Sequence, residues 1–147
     1  MEKGATKEIE RQLTVLLRRA HRVLLSTEDG DIALDRAAYG TMCKLADDGP
    51  QHLAALASAF GLDPSTITRQ VKTLEEAGLA TRRRHPSDRR VVVLELTAPG
   101  RQLLEQARGY RRTKLQQALA DWSEADRHDL GRLIEEFNTS IHRLRDY

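Results

Sequence analysis

The chain is poor in cysteine, in aromatic residues and in long apolar runs. Its one cysteine, Cys43, excludes an internal disulfide framework and any multi-cysteine metal site. No apolar run approaches the roughly 18 residues needed to cross a bilayer. The first six residues, Met1 to Thr6, lack the hydrophobic core of a signal peptide. The chain is therefore expected to be soluble and cytoplasmic, with no membrane partner. The five histidines (21, 52, 85, 128 and 142) show no close metal-ligand spacing. Neither a phosphate-cradling glycine loop nor a nucleophile elbow occurs. These absences argue against an enzyme, and no cofactor or metal is expected.

Net charge is also small, at +2. Its distribution is uneven. Residues 64–90 hold seven Lys/Arg (69, 72, 82, 83, 84, 89, 90) against three acids (75, 76, 88), an excess of +4, so the other residues sum to −2. A localised basic patch is the electrostatic footprint of phosphate binding.

What is abundant is Ala, Leu, Arg and Glu, which favour helices. The 147 residues suit one domain with an adequate core, or a small domain with dimerising helices. A first helix over 7–25 has the apolar stripe Ile9, Leu13, Leu16, Ala20 and Val23 or Leu24, and residues 27–31 form a loop. A second helix over 34–47 buries Leu34, Ala38, Met42 and Leu45, and Gly49-Pro50 ends it. A third covers 51–60, and Gly61 to Pro64 turn into a fourth. That order of short helix, glycine turn and short helix is a helix-turn-helix unit.

The fourth helix has a clear start and stop. Asp63 can accept from the free N–H groups at 65 and 66, and Pro64 suits the first helical position. Ile67, Val71 and Leu74 share one face, so Ser65, Arg69 and Lys72 point the other way. Gly78 stops the helix as a left-handed C-cap. Strands are expected over 79–84 and 90–96, joined by the loop 85–89. Thr97 then caps a fifth helix over 98–120, and Ser123 caps a sixth with the stripe Leu130, Leu133, Ile134, Phe137, Ile141 and Leu144. The fold class is mainly α with a small β-wing. Residues 33–97 form a winged helix-turn-helix; 1–32 and 98–147 form a helical dimerisation region. The terminal stripes exceed what so small a winged helix can cover. A second copy, with helices one, five and six interleaved, is the simplest partner.

The segment Ser65-Thr66-Ile67-Thr68-Arg69 through Leu74-Glu75-Glu76-Ala77-Gly78-Leu79 resembles the recognition helix of the MarR family of bacterial transcriptional regulators. Asp88-Arg89-Arg90 followed by Val93-Leu94-Glu95-Leu96-Thr97 and Gly100 resembles that family's wing signature. The resemblance covers essentially the whole chain in element order. It implies a homodimer with two recognition helices in successive major grooves of a pseudo-palindromic operator; a repressor is expected, though activation is the alternative the sequence leaves open. It further implies that Arg90 reaches the minor groove and that Asp88 orients the wing by pairing with it. Members bind small aromatic or anionic effectors between the dimerisation and DNA-binding regions. Some sense oxidants through a cysteine near the start of the first helix, where this chain has none.

The residues themselves assign contacts by chemistry. Ser65 and Thr66, at a helix N-terminus, suit phosphate. Arg69 and Lys72 can reach base edges or phosphates, and Thr68 a thymine methyl or a phosphate. Arg84, Arg89 and Arg90 can approach phosphates or a narrow A·T-rich minor groove. Arg82 and Arg83 alternate faces, so either can serve an internal salt bridge instead. Arg18, His21, Arg22 and Tyr39 lie on helices that can border an effector cleft; a regulator without an effector is the other reading. The rival function, a winged helix used as a protein-interaction module, fits the basic wing and the polar outer face less well.

Overall fold

The structure is a computed structural model. It describes residues 2–23 and 34–144, with side chains for all of these except 2, 3 and 21–23. Among the described residues the order is α1 (Glu2–Val23), α2 (Arg36–Asp48), α3 (Leu53–Phe60), α4 (Pro64–Glu76), β1 (Ala80–Arg84), β2 (Val92–Leu96), α5 (Ala98–Ala118) and α6 (Glu124–Leu144). This is the mainly helical fold with a two-stranded wing that the sequence predicts. Leu24, Leu25 and the expected loop 27–31 lie outside the described residues.

Several boundaries differ from the expectation, each for a local reason. α1 begins at Glu2 rather than residue 7, and an acid at that end favours the helix dipole. Asp35, expected inside α2, is its N-cap, and its carboxylate accepts from the Ala38 N–H at 2.7 Å. Gln51 is not helical. Its N–H donates to Leu94 O at 3.0 Å and its carbonyl accepts from Leu94 N at 2.7 Å. It thus adds a one-residue third strand that covers the outer edge of β2. Arg90 and Val91 belong to the wing loop: Val91 donates to Asp88 O and accepts from His85 N. α5 ends two residues early because the chain tightens, with the Ala120 N–H reaching Gln117 O.

The chain divides into two compact units, Met1–Arg112 and Thr113–Tyr147. In the first, α3 and α2 pack on α4, and the antiparallel wing pairs Ala80 with Leu96 through Arg84 with Val92. Met42, Leu56, Ile67, Val71, Leu74 and Leu94 are essentially inaccessible and form the core, joined by Leu104 and Ala107 of α5. α5 starts hard against the exit of α4. The Thr97 hydroxyl donates to Gly78 O at 2.7 Å and accepts from the Gly100 N–H. A Cβ at Gly100 would stand 2.0 Å from Leu79 O, so only glycine fits this approach.

α1 and α6 are built differently. α1 exposes Ile9, Leu16 and Leu17 at 54%, 49% and 66%, while Leu13 and Ala20 are half-buried. In the second unit, α6 has the expected Ser123 cap, whose hydroxyl accepts from the Asp126 N–H. No α6 residue is buried, and Leu133, Ile134, Phe137 and Ile141 are 41–52% exposed.

Candidate nucleic-acid interface

The recognition element is α4 with its two caps. Asp63 accepts from the Thr66 N–H at 2.9 Å, and Pro64 occupies the first turn. At the other end Gly78 has φ +74°, the Leu79 N–H reaches Leu74 O, and the Gly78 N–H reaches Glu75 O. That pair of bonds is a Schellman closure. Ile67, Val71 and Leu74 are buried, and Ser65, Thr68, Arg69 and Lys72 are exposed.

The N-terminal hydroxyls are already engaged. Both Ser65 and Thr66 donate to the Asp63 carboxylate, and Thr68 donates to Pro64 O at 2.7 Å. The Ser65 hydroxyl and the Thr66 N–H hold the Asp63 carboxyl down at about 2. An ionised carboxylate therefore sits where sequence chemistry points to a phosphate. Ser65 and Thr66 must turn away from Asp63 before they can donate to DNA. Arg69 has no ion-pair partner among the described residues, and Lys72 stands a loose 3.8 Å from Glu76. Thr66 and Arg69 also line a hollow of about 260 Å³, with Asp35, Gln70 and Thr73.

The wing divides its arginines. Arg82 pairs with Glu75 of α4 at 2.8 Å and Arg83 with Glu95 of β2 at 2.6 Å. Both take the internal role that the sequence left open. Arg84 donates to Arg89 O at 2.8 Å across the loop. Asp88 accepts from the Arg90 N–H at 3.1 Å and from its Nε at 3.2 Å. The Arg90 backbone N–H, then its side chain, hold the Asp88 carboxyl below its ordinary range. Even so paired, the Arg90 side chain is 90% exposed. Arg89 is also exposed, and its side chain has no acidic partner among the described residues. The exposed cations of α4 and of the wing tip therefore belong to one compact unit.

Of the four residues expected to border an effector cleft, Arg18 and Tyr39 have described side chains. Arg18 is exposed on α1, and Tyr39 is half-buried on α2. The side chains of His21 and Arg22 lie outside the described residues. Tyr39 carries the Arg111 guanidinium over its ring, 3.5 Å from the centroid. Burial first, then Cys43, push its phenol upwards, and Arg111 opposes them. Asp47 and Arg108 form a further pair between α2 and α5 at 2.9 Å. The sequence reading missed Asp35, Asp47, Arg108 and Arg111. The fourfold spacing of Tyr39, Cys43 and Asp47 was the one available signal.

A helix-turn-helix followed by a basic two-stranded wing defines a winged-helix DNA-binding protein. Comparison with known proteins narrows this. The MarR family model matches residues 34–92. An uncharacterized HTH-type transcriptional regulator of Bacillus subtilis, YxaD, is 35% identical over 133 residues, which cover 90% of this chain and 92% of that protein. The HTH-type transcriptional repressor NicR of Pseudomonas putida is 34% identical over 101 residues, 67% of this chain and 64% of its own. A MarR family protein from Bacillus stearothermophilus shares the fold with TM-score 0.79 at 20% identity, covering 97% of this chain and 99% of that one. The chain belongs to the MarR family and is a DNA-binding transcriptional regulator. No helix among the described residues is long and apolar enough to cross a membrane.

Proposed function

We propose that two copies of the chain pair through α1, α5 and α6 and repress transcription in the cytoplasm from a pseudo-palindromic operator. Residues 33–97 are the DNA-binding region, and 1–32 with 98–147 the dimerisation region. The observation that carries this reading is the contrast in cover: the winged unit has its own core, whereas α1 and α6 expose their apolar stripes. A face of that kind on a water-soluble domain marks an interaction surface. The basic α4 and wing supply the DNA side. That the relative NicR is a transcriptional repressor supports repression.

In this reading Arg69 and Lys72 enter the major groove. Ser65, Thr66 and Thr68 contact phosphate or a thymine methyl once their hydroxyls leave Asp63 and Pro64. Arg90 reaches the minor groove, oriented by Asp88, while Arg84 and Arg89 lie along phosphates. A small aromatic or anionic effector near Arg18, His21, Arg22 and Tyr39 releases the operator. The test is fluorescence anisotropy on an operator selected from random DNA and on a scrambled duplex. Arg69→Ala is expected to lose about 1–3 kcal/mol of specific binding and to relax sequence preference, with non-specific binding little changed. A variant that binds both duplexes as wild type does would remove α4 from the reading frame of the operator.

A further inference from the structure

We infer that Tyr39 and Asp47 of α2, with Arg108 and Arg111 of α5, form a two-point clasp that sets the separation of the two recognition helices and so selects operator spacing. The inference rests on the dimeric reading above. Tyr39, Cys43 and Asp47 recur at every fourth position and share one face of α2. Arg108 and Arg111 are three apart and share one face of α5. Asp47 accepts from Arg108 Nη2 at 2.9 Å, and Arg111 lies 3.5 Å over the Tyr39 ring. Two independent contacts of different chemistry thus join the same two helices, the Asp47–Arg108 pair across 61 residues of sequence.

Each end of the clasp is tied to a functional part. α2 packs directly on α4, so a force on Asp47 or Tyr39 reaches the recognition helix. α5 is held a second time at Gly100, where it meets Leu79 at the exit of α4. At 1.5 Å per residue the two stations lie roughly 12–17 Å apart, so a 1 Å slip at the clasp tilts α5 by about 4°. α5 continues as one helix to Ala118 and is part of the proposed dimer frame. A pair this exposed on one side adds little to stability: Asp47 is 62% exposed against 26% for Arg108. What such a contact can fix is an angle. These four are positioning residues, and none needs to touch DNA.

The test uses the full-length chain and duplexes that carry two selected half-sites, with their separation varied one base pair at a time. Wild type should show a sharp optimum. Asp47→Ala combined with Arg111→Ala should flatten or shift that optimum by several-fold in relative affinity, with dimer mass and binding to non-specific DNA kept. The charge exchange Asp47→Arg with Arg108→Asp should restore the wild-type profile, and Arg111→Lys, which keeps charge without the planar stack, should not match wild type. A double variant whose profile superimposes on wild type overturns the clasp. So does an equal loss at every spacing, which a merely structural role would give. A wild type with no optimum overturns the dimeric reading itself.

Discussion

The winged unit and the pair α1 and α6 obey the same helix rules and end in opposite states. In α4, apolar residues at i, i+4 and i+7 meet α2, α3 and the wing, and they are buried. In α6, Leu130, Ile134, Phe137 and Ile141 have the same spacing, yet none is buried. Periodicity therefore says which face is apolar but not what covers it. Cover is a question of packing partners, and for α1 and α6 the single chain supplies too few.

The largest effect is expected where that difference is broken outright. Phe137→Asp places a charge on the open stripe, which the winged unit does not use. It should leave that unit folded, halve the particle mass and weaken operator binding on the order of 10²–10⁴-fold through lost bivalency; anisotropy on the selected operator measures this. Next is Gly100→Ala, which acts inside the winged unit. With Leu79 O only 2.0 Å from the new Cβ, the start of α5 must shift, at about 1–3 kcal/mol, read from urea unfolding. Thr41→Val sharpens the comparison in the other direction. The Thr41 hydroxyl is buried with no hydrogen-bond partner among the described residues. Its removal should stabilise the unit by about 1 kcal/mol.

The smallest effect concerns the α4 cap. The Asp63 carboxyl, held at about 2, lies below its unfolded value, so the cap contributes fully above the ordinary carboxylate range. That contribution falls away as pH drops from about 4 towards 2. The gap in thermal midpoint between wild type and Asp63→Ala should close over that interval. A gap that stays constant would show that the carboxylate charge is not what caps α4.

Most of α4 and the wing was legible because their signals are local. Asp63-Pro64 starts a helix, Gly78 stops it, and Thr97 and Ser123 cap the next two. What escaped depends on partners distant in sequence. Gln51 is a good helix former beside a helical run, and only Leu94 makes it a strand. Arg108 and Arg111 take their roles only from Asp47 and Tyr39 of α2, more than 60 residues earlier in the chain. Arg82 and Arg83 entered the basic count, whereas Glu75 and Glu95 hold both internally. Helix position alone suits Ser65 and Thr66 to phosphate, whereas the Asp63 cap that starts the helix also engages their hydroxyls.

The central claim is that α1 and α6 are covered by a second copy. Sedimentation equilibrium of wild type and Phe137→Asp, each checked by circular dichroism, tests it most directly. The account predicts a wild type of twice the chain mass and a variant of single mass with its helices kept. A monomeric wild type, or a variant that remains a dimer, would contradict it.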